Sequence, residues 1–270
     1  MFKFILIFMS LFILASCGDD AIVIDETLPV TTHFAIEDSL GDGEWQYFVT
    51  ITVNSDNIVT DVNLNGVTRL ANTSRREVAQ LDDYEELFGY NFYQQASSLE
   101  RSLIGISSDE LVDAILDAYN NDIVDFDTTA FASLANLALA SAPVERGLHY
   151  IDGIYHSINA INDDDFQYFV NLFIINGDIV AAHFNAINDE GLLKYDQFTD
   201  TTVDDEIIAW RYQAQLLEQA LIRLQDPMEF TFDDDGLTDD IPGVDIEIES
   251  FVSLVIQALS AGPIVTEIAE

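Results

Sequence analysis

The chain has 270 residues and sets 9 Lys and Arg against 49 Asp and Glu, a formal net charge of -40. A surface of that sign repels nucleic acid and anionic lipid headgroups, and both are excluded as partners. Cys17 is the single cysteine, which removes disulfides within the chain, Cys-ligated metals and a cysteine nucleophile from the chemistry available to it.

In chain order, Lys3 supplies a short positive segment, and Phe4 to Leu14 is apolar apart from Ser10. Such a run is shorter than the roughly 20 residues that span a bilayer, and suits the hydrophobic region of a signal peptide. It closes on Leu14–Ala15–Ser16–Cys17, which resembles the lipobox of bacterial lipoproteins. The resemblance implies a signal peptide over 1–16 and lipid attachment at Cys17. It also implies an acidic tether over 17–30, with the protein held by lipid on the extracytoplasmic face of the membrane. Two acyl chains anchor stably where one is marginal.

The first unit, residues 31–146, opens on Trp45–Val53, where Trp45, Tyr47, Val49, Ile51 and Val53 alternate with Gln46, Thr50 and Thr52. That alternation predicts a half-buried strand, returned by Ser55–Asn57 into a second strand over 58–65. The polar stretch Thr68–Gly89 predicts a long loop with irregular turns. A helix follows with Ala96, Leu99 and Leu103 on one face. Ser107–Glu110 marks the start of another over Leu111–Tyr119. Ala130–Ala140 closes the unit as an amphipathic helix stopped before Pro143.

The second unit, residues 147–264, repeats this order. Phe166–Ile174 answers Trp45–Val53, and Phe184–Asn185–Ala186–Ile187 answers Leu64–Asn65–Gly66–Val67. Gln213–Ala214 and Leu217–Glu218 answer Gln95–Ala96 and Leu99–Glu100, and the helix Ser250–Ser260 answers Ala130–Ala140. Asp245 follows Asp125 by 120 residues. Solenoid repeats are far shorter, so this period is a duplicated domain. Asn176–Gly177 is a hairpin signal. The strand before it is apolar on both faces, which predicts burial against the other unit. Asn188–Asp205 reads as a loop, and Pro227 with Asp233–Asp235 leaves the second helix of this unit short or absent. The fold class expected is α+β, two tandem repeats that each pack helices on an antiparallel sheet.

These landmarks together resemble the FMN-binding-domain family, in the tandem form found on lipid-anchored extracellular proteins of Gram-positive bacteria. The resemblance rests on the aromatic–x–x–Phe–Val strand, the hydrophobic–Asn–small close, the Gln–Ala–x–x–Leu–Glu helix and the Phe–x–x–Leu–x–x–x–Ala–Leu helix. It implies a protein that carries FMN, or is accessory to flavin-mediated extracellular electron transfer, with a membrane redox complex or another flavoprotein as partner. In that family a threonine just before the closing helix is esterified to the flavin phosphate. Here the matching positions hold Asp125 and Asp245, followed by Asp127 and Glu247. Thr128 and Thr129 are alternative acceptors in the first unit. A carboxylate about 4 Å from a phosphate charge costs on the order of 4 kcal/mol at an effective dielectric of ~20. The substitutions therefore imply a second reading, a cofactor-free surface binding or scaffolding module.

No residue is assigned a catalytic role, because neither a Gly–x–Ser–x–Gly elbow nor a glycine-rich phosphate loop is present. His33, His149, His156 and His183 lack metal-ligand spacing and read as surface or packing residues. Asp233–Asp235 with Asp239 and Asp240 could offer hard oxygens to Ca²⁺, but lacks the alternation of an EF-hand loop. A solvated acidic loop is the favoured reading there. Solubility in high salt is favoured for the charge as a whole, over docking of a basic partner.

Overall fold

Two antiparallel meanders carry the structure, a computed structural model that describes residues 28–38, 45–147, 149–160, 165–197 and 210–265. The signal segment, Cys17 and most of the tether lie outside these residues. In the first meander β1 (Val30–Ile36), β2 (Trp45–Asn54) and β3 (Val59–Thr68) run in the order β1-β2-β3. In the second, β4 (Gly153–Ile158), β5 (Phe166–Ile175) and β6 (Asp178–Asn188) run in the order β4-β5-β6. Asn176 and Gly177 both adopt positive φ, 55° and 86°, as a two-residue I′ hairpin turn requires. The first hairpin closes differently. There the Asn54 side chain accepts from the amides of Asp56 and Ile58.

The helices of the first unit are α1 (Arg75–Val78), α2 (Tyr84–Phe88), α3 (Phe92–Leu103), α4 (Leu111–Asn120) and α5 (Thr129–Ala140). Those of the second are α6 (Lys194–Gln197), α7 (Trp210–Leu224) and α8 (Glu249–Ala261). The counterpart of α4 is reduced to a single turn at Pro227–Glu229, consistent with the proline there. The architecture is α+β, as expected.

Three features differ from the sequence reading. Strands β1 and β4 precede the hairpins on which each unit was expected to open. The stretch read as a loop over Thr68–Gly89 contains α1 and α2. A capping box starts α1: Ser74 Oγ accepts from the Glu77 amide at 3.1 Å, and Glu77 Oε2 accepts from the Ser74 amide at 2.6 Å. Four-residue helices carry too little periodicity to register in a sequence window.

The third difference concerns β2. Its Val49, Ile51 and Val53 join the helices of the first unit in one core, with Phe92, Leu99, Leu111 and Phe131. Its opposite face, expected to be solvated, is also buried at Phe48 and Thr50. The two sheets meet there. Phe48 and Val67 pack with Ile154, Phe173, Ile175 and Ala181 of the second unit, flanked by Phe34 and Ile36. The Phe173 ring centroid lies 6.0 Å from both Phe34 and Phe48. The molecule is thus layered helix–sheet–sheet–helix, with the doubly apolar β5 at its centre. Side-chain hydrogen bonds cross the seam as well, from Asn171 to Arg69 O at 3.1 Å and from Asn176 to Val144 O at 3.3 Å. Among the described residues no helix is long and apolar enough to cross a membrane.

Candidate functional site

Each meander ends on an edge strand, β3 or β6, whose outward amides have no strand to receive them. Buried amides left unpaired cost free energy, and the repeated motif supplies the partners. Glu100 reaches from α3 to accept from the Leu64 amide at 2.6 Å, and Glu218 reaches from α7 to accept from the Phe184 amide at 2.7 Å. Asn65 Oδ1 accepts from the amides of Gly66 and Arg76, and Asn185 Oδ1 from those of Ala186 and Tyr195. The hydrophobic–Asn–small close and the Leu–Glu of the helix are therefore two ends of one hydrogen-bonded device.

Above each buried carboxylate lies a recess between the edge strand, the short helix and the long helix. In the first unit it measures about 270 Å³ and is lined by Asn63, Arg76, Tyr93, Ser97, Glu100 and Arg101, among others. Arg76 forms an ion pair with Glu100 and lies 6.0 Å from the Tyr93 ring centroid. In the second unit the equivalent positions are exchanged. Tyr195 follows Lys194 in α6 as Arg76 follows Arg75 in α1, and its hydroxyl donates to Glu218 at 2.6 Å. Arg211 follows Trp210 in α7 as Tyr93 follows Phe92 in α3, and lies 5.2 Å from the Tyr195 ring centroid. Both recesses keep one arginine–tyrosine pair, with the partners on opposite walls.

The second recess is smaller, about 60 Å³, and the first unit contributes Asp38, Gln46 and Arg69 to its lining. Arg69 donates to Gly191 O at 2.6 Å, and Gln46 donates to the ring of His183 at 3.0 Å. A larger open cleft of about 680 Å³ lies at the linker, beside Thr32, Glu145, Arg146 and Asn176. It contains none of the repeated residues.

Burial dominates the ionisation of these groups. It pushes Glu100 up to about 7 against the opposing pull of Arg76, and Glu218 up to about 8, where a phenol replaces the guanidinium. Tyr195 is raised by burial and by the neighbouring Glu218. His183 keeps part of its ring open to the cavity, yet the protein packed around it lowers its pKa to about 4. An uncharged carboxyl and an uncharged imidazole are the forms this environment favours.

The segments expected to carry flavin are placed alike in both units. Gln95 grips Asp125 twice, accepting from its amide at 2.7 Å and donating to its carboxylate at 2.6 Å. Gln213 accepts from the amides of Asp245 and Ile246 at 2.6 and 3.0 Å. The two acids are exposed. Thr128 is 1% exposed and donates its hydroxyl to Ile115 O at 2.7 Å. Thr129 is exposed at the start of α5, its amide bound by Asp127, whose carboxyl the Thr129 bonds hold below the usual range. The nearby buried cation, Arg75, is enclosed. It donates to Tyr47, Tyr84 and Tyr90, with its guanidinium 4.2 Å from the Phe92 ring centroid. Lys194 takes the corresponding place against Tyr168 and Trp210.

The histidines are scattered. His33 bonds Ala138 O, His156 bonds Asn171, and His149 bonds Asp178, while His183 lies on the seam. Among the described residues no group of three or more His, Cys, Asp or Glu is arranged to hold a metal ion. Asp233 binds the amides of Asp235 and Leu237 in a tight turn. The recesses themselves were not legible in sequence as sites. Their one signal was the pairing of Glu100 with Glu218 inside otherwise apolar helical faces.

No family model matches the chain, and no curated protein matches it. Among solved structures, a solution NMR structure of a structural-genomics target from Clostridium thermocellum is 31% identical. The match covers 41% of this chain and 90% of that one, with a TM-score of 0.34.

Proposed function

We propose that the protein is a lipid-anchored extracytoplasmic binding module, built on the plan it shares with tandem FMN-binding lipoproteins but working without covalent flavin. It is accessory to flavin-mediated extracellular electron transfer, as a partner of a membrane redox complex or of a separate flavoprotein. The observation that carries this reading is the state of the two attachment segments. A phosphoester needs an alcohol at the acceptor position, and there a carboxylate stands in both units, with Asp125 and Asp245 pinned by Gln95 and Gln213. The hydroxyl of Thr128 is buried and engaged. In the first unit the nearby buried cation is engaged as well, since the N–H groups of Arg75 already serve three phenols. At the two matching acceptor positions, Asp125 and Asp245, the residues present do not fit a phosphate-linked flavin.

An alternative is favoured by one residue. Thr129 is exposed, so a flavin esterified there would make the first unit a carrier. The intact mass of protein purified from membranes, with its visible absorption spectrum, separates the two. The expected result is a diacylated, colourless protein that co-purifies with a membrane redox complex. An FMN-sized mass increment on the peptide containing Thr129 would overturn the reading.

A further inference from the structure

The cavity on the seam between the two units has the dimensions and charge of a ligand site. Its two guanidiniums come from different units, Arg69 from the first and Arg211 from the second. Among the described residues neither forms an ion pair with a carboxylate, in a chain with 49 acids and 9 bases. The first unit shows what a guanidinium does here when left to the protein: Arg76 lies directly on Glu100. In the second unit the Tyr195 hydroxyl has taken that role, and Arg211 stacks on the Tyr195 ring instead.

The other lining groups leave a positive balance. Asp38 is exposed and carries one negative charge, while Gln46, Asn171, Asn185 and the phenol of Tyr195 are neutral. His183 is uncharged at pH 7, and Glu218 beneath Tyr195 is largely protonated. Among the described lining residues, two guanidiniums against Asp38 leave one net positive charge. Phe169 and Leu193 add apolar wall. A volume of about 60 Å³ accepts roughly four waters, or a ligand with about four non-hydrogen atoms.

We propose that this cavity binds a small monovalent carboxylate of acetate size, its oxygens held by Arg69 and Arg211 and its methyl group against Phe169 and Leu193. Guanidinium favours planar oxyanions because its forked N–H groups match two oxygens at once. The ligand would tie together two units that otherwise meet through the Phe34–Phe48–Phe173 cluster, and so stabilise the seam.

The test titrates the full mature chain with sodium acetate at constant ionic strength, with sodium chloride, whose anion offers no pair of oxygens to the guanidinium fork, as the balancing salt. Melting temperature is followed because a ligand bound to the native state raises it in a saturable way. Trp210 fluorescence is followed because that ring lies 5.6 Å from Tyr195. Saturable changes in both are expected. Arg69→Gln and Arg211→Gln should each weaken the acetate midpoint at least tenfold, and Arg211→Lys should weaken it less than Arg211→Gln. Arg101→Gln, on the recess of the first unit, should leave it unchanged. Circular dichroism establishes that each variant is folded, and the wild-type titration stands by itself if one is not. A response to acetate identical to that in chloride, or one untouched by both glutamine variants, would overturn the proposal. Neither outcome bears on flavin attachment.

Discussion

In the first unit a guanidinium lies on the buried carboxylate and the recess above it opens to solvent. In the second a phenol lies on the carboxylate, the guanidinium has crossed to the facing helix, and the other unit supplies part of the wall of a smaller recess. The same backbone device, an edge-strand amide received by a glutamate from the long helix, supports both. The difference teaches that duplication preserved what the edge strand requires and left the neighbouring positions free to diverge. Arg76 with Glu100 forms a self-contained ion pair, whereas Tyr195 with Glu218 leaves Arg211 to face a cavity.

The comparison breaks most sharply at the glutamates. Glu100→Gln keeps an acceptor for the Leu64 amide but leaves Arg76 buried without its counter-charge. It should cost about 3 kcal/mol in urea unfolding at pH 8, in the range for breaking a buried pair. Glu218→Gln replaces a carboxyl about half protonated at that pH, with no guanidinium paired to it, and should cost under about 1 kcal/mol. Equal losses would mean that the two carboxyls share one charge state.

A pH profile sharpens it next. Glu100 and Glu218 have folded pKa values of about 7 and about 8, above the ordinary value of 4.5. The native state therefore binds more protons than the unfolded chain between pH 4.5 and 8. Their contribution is fully present below pH 4.5 and is lost as pH rises to 8, by on the order of 8 kcal/mol in total at about 1.4 kcal/mol per unit. His183 works oppositely, its folded pKa of about 4 lying below the ordinary 6.5. The unfolded chain takes up its proton first, and stability falls as pH drops from 6.5 to 4. Between pH 4.5 and 6.5 the two glutamates outweigh the one histidine, so at one fixed salt concentration the urea midpoint should peak near pH 4.5 and fall towards pH 8. His183→Gln should steepen the fall between pH 4.5 and 6.5, and Glu218→Gln should flatten it. A slope unchanged in His183→Gln would show that the seam histidine is protonated without cost.

The smallest contrast concerns the segments before the closing helices. Gln213 is buried and receives two amides, whereas Gln95 is half-buried and exchanges one bond each way with exposed Asp125. Gln213→Ala should cost about 2 kcal/mol and Gln95→Ala about 1 kcal/mol, because unpaired buried amides pay more than solvated ones. Thermal melts resolve that difference, and the reverse order would refute it.

Read without its structure, the chain already determines the duplication, the hairpin at Asn176–Gly177, the apolar faces of α3, α5, α7 and α8, and the loss of the second unit's counterpart to α4. Each is a local or periodic signal, set by residues a few positions apart. Strand β1 was missed, because its β-branched run Val30–Thr32 adjoins a stretch whose acidity favoured a tether. The roles of Asn65, Glu100, Asn185 and Glu218 were decided only by tertiary structure, since their partners lie as much as 36 residues away. The same holds for the recess on the seam. Arg69 and Arg211 belong to different units, and only the packing of one sheet on the other places them around a single cavity.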